Sequence, residues 1–120
     1  MIFKREESYR YTFPQPIPCS LSIVGVEHIR INTGKGEGEL VDISPHGCKL
    51  SSSFDIPVEQ KVTVRLEFTL YQGIIVASGI LVWQKLNGEG FLYGVEFVKE
   101  ENLEELITED LKLLVKENES

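Results

Sequence analysis

The chain has 120 residues, of which 42% are apolar and 26% charged, a composition typical of one soluble globular domain with a single modest core. Its formal net charge of −7 disfavours binding to DNA or RNA, because that binding depends on many phosphate contacts. No apolar run approaches the roughly 18–20 residues that span a bilayer, and the N-terminus becomes charged at Lys4. We therefore predict a cytoplasmic protein without membrane insertion.

The first half of the chain predicts a charged N-terminal segment followed by short strands. Residues 1–13 mix basic, acidic and aromatic side chains without a clear period, and we expect a flexible, arginine-containing segment there. The three prolines of PQPIPCS exclude a helix and favour extended chain. The runs CSLSIVGV, ELVDIS and CKLSSSF are strand-like, and the glycines of TGKGEGE predict a loop or hairpin tip.

The second half predicts longer strands joined by tight turns. Apolar and polar residues alternate strictly in KVTVRLEFTL, which is the clearest strand pattern in the sequence. IIVASGILVWQKL is a second long strand, NGEG predicts a hairpin turn, and FLYGVEFV is the last strand. We predict a single, mainly β domain over residues 1–120, with a six-stranded antiparallel β-barrel over residues 14–98.

The C-terminal segment has a different pattern, with apolar residues at helical spacing. These residues are Leu103, Leu106, Ile107, Leu111 and Leu114. Acidic residues come early in the segment and lysines late, as the helix dipole favours. We predict an amphipathic helix over residues 101–116. Its apolar face either caps the barrel or forms a contact with a second copy of the chain or with another protein.

The sequence contains no motif that indicates catalysis or metal binding. It has no G-x-S-x-G elbow, Walker loop or H-E-x-x-H pair, and GKGEG lacks the lysine–hydroxyl ending of a phosphate loop. Cys19 and Cys48 fall in apolar, strand-like runs, which predicts buried free thiols. Together with His28 and His46 they have no metal-ligand spacing. We predict that the protein is not an enzyme and holds neither a metal nor a cofactor.

The run DISPHG, residues 42–47, lies between two strand-like runs and permits two interpretations. As a turn, it needs Asp and Ser for capping, Pro to preset φ, and Gly to accept a positive φ. As a ligand site, it offers the carboxylate of Asp42 to the N1–H and N2–H₂ donors of a guanine. Ser44 could donate or accept a hydrogen bond, and Gly47 would let a ring or a phosphate approach the backbone.

The N-terminal run KREESYR supplies cations that could complement such a site. It contains Lys4, Arg5 and Arg10. Arginine can fork onto phosphate or onto guanine O6 and N7, and its plane can stack on a base. The alternative is a solvated charged tail, because Glu6 and Glu7 lie between the two arginines.

These motifs together resemble the PilZ domain family. That family has an RxxxR segment, then some thirty residues later [DN]xSxxG, and often a last strand similar to YGVEF. In this chain DISPHG matches the second motif in full, YGVEF at 93–97 matches the closing strand, and VASGILVWQK is similar to the strand before it. The resemblance covers roughly residues 4–98, and a C-terminal helix is also typical.

The resemblance implies a cytoplasmic bacterial receptor for cyclic di-GMP, with the ligand on the outer surface of a six-stranded barrel. Arg5 and Arg10 would bind phosphates and guanine faces, Asp42 and Ser44 the edge of a guanine, and Gly47 would leave room for it. Lys4 and His46 are additional candidate contacts. Binding would order the N-terminal segment and thereby change the surface presented to an unidentified protein partner.

The arginine spacing departs from the family pattern. Four residues separate Arg5 from Arg10 instead of three, and Glu6 stands at the position that the pattern assigns to arginine. A flexible segment could absorb one extra residue, or the glutamate could repel phosphate. The alternative function is therefore a PilZ-fold adaptor that does not bind cyclic di-GMP and acts through protein–protein contacts.

Overall fold

The computed structural model describes residues 10–119, which form seven strands and one α-helix. The strands, numbered β1 to β7 in chain order, are Tyr11–Val26, Ile29–Arg30, Gly36–Ser44, Gly47–Ser52, Val62–Thr69, Ile74–Asn87 and Gly90–Phe97. The helix α1 is Leu103–Glu119, and one 3₁₀ turn, Val58–Gln60, precedes β5. Because β1 begins at Tyr11, residues 11–13 belong to the sheet rather than to the charged segment before it.

The strands form one antiparallel sheet that closes on itself. Its order is β2-β1-β3-β4-β7-β6-β5, and β1 also pairs with β5. Six strands thus form a closed ring, and the two-residue β2 is attached to the end of β1 outside that ring. The predicted mainly β fold, a six-stranded antiparallel barrel with a C-terminal helix, is confirmed.

The length of β1 makes this closure possible. Its 16 residues pair with β3 from Tyr11 to Leu21 and with β5 from Ser20 to Val26. The register with β3 shifts between Thr12 and Ile17, where the prolines of the strand begin. Proline cannot donate to a ladder, so it fits a stretch that has a partner strand on only one side.

The barrel interior is filled by the apolar positions of the alternating strands. In β5, Val62, Val64, Leu66 and Phe68 are buried, as strict alternation predicts. Leucines and isoleucines from the other strands complete the core. Each buried side chain of this size contributes roughly 1.5–3 kcal/mol through removal of apolar surface from water.

Helix α1 packs on this core and is held near its middle by a buried carboxylate. Leu103, Ile107 and Leu111 are buried, so this face caps the barrel, whereas Leu106 is 51% exposed and lies off that face. Asp110, on the same turn, accepts hydrogen bonds from the backbone N–H groups of Tyr71 and Gln72, at 3.2 and 3.3 Å. The helix therefore closes over the β5–β6 turn.

Replacement of Asp110 by alanine should destabilise the fold by about 1–3 kcal/mol, because two backbone N–H groups lose their acceptor. Urea unfolding followed by circular dichroism measures the change. The exposed neighbour Glu109→Ala is the control and should shift the free energy of unfolding by no more than about 0.5 kcal/mol. Equal stability of the two variants would contradict the fastening role of Asp110.

The two cysteines are buried, as predicted, and should resist thiol reagents in the native protein. Burial raises the pKa of Cys19 to about 12 and that of Cys48 well above its ordinary value. Both groups therefore remain protonated at pH 8, and thiolate is the reactive form. An Ellman assay at pH 8 should detect slow reaction in buffer and rapid release of two equivalents in denaturant. Rapid reaction of the native protein would contradict this prediction.

Candidate functional site

The register between β1 and β3 brings an N-terminal arginine to the DISPHG run. Tyr11 lies opposite Ile43 and Thr12 opposite Asp42, so Arg10, the residue before the strand, reaches the carboxylate. Its Nη1 donates a hydrogen bond to Asp42 Oδ1 at 2.7 Å. Two residues that the sequence analysis selected, 32 positions apart, therefore meet in an ion pair.

The carboxylate of Asp42 is buried and bonded on both sides. The residue is 3% exposed. Its Oδ1 also accepts the backbone N–H of Lys49 at 3.1 Å, and the Lys49 Nζ lies 3.6 Å from Oδ2. A charge removed from water in this way is tolerated only when it is paired and hydrogen-bonded, and here two cations perform that role.

Ser44 uses its hydroxyl to hold the turn together. Its Oγ accepts the backbone N–H of His46 at 3.3 Å and donates to the Gly47 carbonyl at 3.4 Å. The Phe97 N–H donates to the His46 carbonyl at 2.8 Å, which joins the turn to β7. The turn interpretation of the run thus accounts for the observed contacts of Ser44.

Gly47 is explained by close packing between strands. A Cβ on this residue would overlap the Val95 carbonyl of β7. Among the described residues, the glycines with positive φ are Gly34 and Gly88, so the positive φ expected at Gly47 is wrong. The glycine is needed here because a neighbouring backbone approaches it.

His46 links the turn to the helix. Its Nδ1 lies 3.3 Å from Glu104 Oε2 in the first turn of α1, and both side chains are about half exposed. The same histidine also borders the surface depression next to Arg10. Lys4 and Arg5, the remaining candidates, lie outside the described residues.

A depression of about 720 Å³ connects these residues on the outside of the barrel. Its lining includes Arg10, Ser44, His46, Gly47, Lys49 and Trp83. Lys49 pairs with Gly94, and Gly94 pairs with Trp83, so these three residues form a row across β4, β7 and β6. The middle position has no side chain, and the indole of Trp83 occupies the space that one would fill.

The indole of Trp83 therefore lies directly against the backbone of Gly94. Any side chain at Gly94 would overlap the indole ring, and the Lys85 Nζ lies 5.5 Å from the ring centroid. Trp83 and Lys49 therefore line the candidate site, and neither was predicted from the sequence. Strand alternation could have placed Lys49 on the outer face, since its neighbours Cys48 and Leu50 are apolar. Nothing in the local sequence indicates that Trp83 faces Gly94.

Comparison with known proteins identifies the class of this barrel. A model of the PilZ domain family matches residues 4–112, and the chain belongs to this family. No match is found among curated proteins.

Two solved PilZ structures have the same fold. The PilZ domain of CeSA from a cellulose-synthesizing bacterium aligns with a TM-score of 0.59 at 15% identity, over 92% of this chain and 98% of that one. The PilZ domain of YcgR from Escherichia coli, described with c-di-GMP, aligns with a TM-score of 0.61 at 16% identity, over 91% and 92% of the two chains.

Within residues 10–119 no helix is long and apolar enough to cross a membrane. The same range contains no group of three or more histidine, cysteine, aspartate or glutamate side chains arranged to hold a metal ion.

Replacement of Gly47 by alanine should lower the free energy of unfolding by about 1–3 kcal/mol, because the added methyl group overlaps a backbone carbonyl that cannot move independently of β7. Chemical denaturation measures the loss. Gly73→Ala is the matched control, since a Cβ there has no atom within 4 Å. If Gly47→Ala is as stable as the control, β7 can move away from the added methyl group without loss of stability, which would contradict the prediction.

Proposed function

We propose that the protein is a cyclic di-GMP receptor without catalytic activity, which signals by changing the surface that it offers to a protein partner. The observation that carries the proposal is the meeting of Arg10 with the DISPHG run beside one depression on the outside of a PilZ barrel. The YcgR domain, a structural neighbour, is described with the same ligand.

The chemistry of the lining suits a phosphorylated purine. Arg10 uses Nη1 for Asp42, and a guanidinium carries further N–H donors that can bind phosphate or guanine. Trp83 offers an aromatic plane, and base–aromatic stacking contributes about 1–3 kcal/mol per base. The family pattern assigns Asp42 and Ser44 to the edge of a guanine, and Gly47 to its close approach. His46, at the border of the depression, is an additional contact.

The segment before β1 completes the proposed site. Arg5 and Lys4 precede Arg10 by five and six positions, so the same segment that enters β1 can present them to a phosphate. The ligand would then hold this segment against the barrel. A partner would recognise the resulting surface, which is how binding becomes a signal in a domain without catalysis.

An adaptor function that needs no ligand is the second candidate, and one observation favours it. Arg10 and Lys49 already neutralise the buried carboxylate of Asp42. The same arrangement could therefore be a structural ion-pair cluster, with Trp83 and the depression forming part of a protein interface.

Titration with cyclic di-GMP, by calorimetry and by the fluorescence of the single tryptophan, separates the two functions. We expect binding accompanied by a change in the emission of Trp83. Arg10→Ala should weaken binding by roughly tenfold or more, because a charge-assisted hydrogen bond is worth about 1.5–3 kcal/mol. Arg65→Ala is the control, since Arg65 is exposed on β5 and does not line the depression.

The receptor function is rejected if the wild-type protein, at tens of micromolar, shows neither heat of binding nor a fluorescence change when cyclic di-GMP is added. The adaptor would then be the surviving candidate. Equal binding by the Arg10 and Arg65 variants would instead show that the ligand binds elsewhere on the barrel.

A further inference from the structure

The contacts of Asp42 fit a residue that holds cations in place better than one that hydrogen-bonds the edge of a guanine. We infer that Asp42 is a positioning residue, and that Lys49, which it helps to place, is a second cation of the nucleotide site. The inference rests on the proposed function and assigns the roles of two residues within it. It departs from the role that the family pattern implies for Asp42.

The carboxylate of Asp42 has little capacity left for a base. Its Oδ1 accepts from Arg10 and from the Lys49 backbone, and its Oδ2 faces the Lys49 ammonium. A guanine edge presents two parallel donors, N1–H and N2–H₂, and needs both oxygens along one open side. The residue is only 3% exposed. A base could therefore reach both oxygens only by displacing one of the two cations.

Lys49 is placed to meet an anion. Its side chain is 42% exposed and lines the depression, on the row that continues through Gly94 to Trp83. Its Nζ is 3.6 Å from Asp42 Oδ2, which is longer than an ordinary charge-assisted hydrogen bond. The ammonium therefore retains donors for a second acceptor. A phosphate bound in the depression would meet this ammonium next to the indole, which covers Gly94.

The place of Lys49 on a strand, rather than the net charge of the cluster, supports the same assignment. Arg10 and Lys49 together carry one more positive charge than Asp42 neutralises. Glu96, on β7, also lines the depression, and its carboxylate formally balances this excess. A cation held by a strand has a position that does not depend on the spacing of the arginines before β1. Lys49 thus gives the site a phosphate contact that the altered arginine spacing cannot remove.

Two variants and two ligands test the inference. Lys49→Met keeps the aliphatic chain and removes the charge, and Lys35→Met is its control, because Lys35 pairs with Glu67 and does not line the depression. Asp42→Asn keeps the size and removes the charge. Cyclic di-GMP is compared with cyclic di-inosine monophosphate, which has the same phosphates but lacks the 2-amino group of guanine. Circular dichroism confirms that each variant is folded.

We expect Lys49→Met to weaken cyclic di-GMP binding roughly tenfold and to reduce its salt dependence, with Lys35→Met unchanged. We expect Asp42→Asn to weaken both ligands by the same factor, so that the preference for guanine over inosine stays within about twofold of the wild type. Loss of that preference in Asp42→Asn would show that Asp42 reads the base and would overturn its positioning role.

Wild-type affinity in Lys49→Met would overturn the role of Lys49, and it would do so even if Asp42→Asn fails to fold. A wild-type protein that binds neither ligand would reject the proposed function, and the inference with it. In the two outcomes that overturn only the inference, the wild-type protein still binds cyclic di-GMP. The result for Lys49→Met or for Asp42→Asn then differs from the one expected.

Discussion

The double pairing of β1 is the constraint on which the rest of the molecule depends. One strand pairs with β3 through its first part and with β5 through its last part, and this closes the sheet. The same register places Thr12 opposite Asp42 and so delivers Arg10 to the buried carboxylate. Closure of the barrel and assembly of the site are therefore consequences of one alignment. A slip of one residue would change both, because alternate side chains point to opposite faces.

A row of residues across the sheet gives the site its rigidity. The row contains Asp42, Lys49, Gly94 and Trp83, contributed by four neighbouring strands. Asp42, Lys49 and Gly94 are held by backbone pairing on both sides, and Trp83 is paired with β7. Binding surfaces built on such elements lose little conformational freedom when a ligand arrives. The buried charge at one end of the row requires its cations whether or not a ligand is present.

Patterns among neighbouring residues were sufficient to predict the fold, but they predicted only part of the candidate site. Alternation in residues 62–70, the hairpin turn at NGEG and the helical spacing of Leu103 and Ile107 each depend on near neighbours in the chain. The row of Lys49 and Trp83 depends instead on pairing through Gly94, which is 45 positions from one and 11 from the other. Pairing between residues so far apart in the chain cannot be predicted from a short stretch of sequence. The reason for Gly47 is of the same kind, because the atom that it avoids belongs to Val95.

The free edge of β1 has a consequence for association between molecules. Among the described strands, only β3 pairs with β1 before Ser20, so this stretch presents an open backbone edge. Pro14, Pro16 and Pro18 lie in it, and each lacks the N–H that an incoming strand would need. Intermolecular sheet extension, the usual hazard of an open edge, is therefore disfavoured along this half-paired stretch of β1. Assembly with any partner must then proceed through side chains rather than through added strands at this edge.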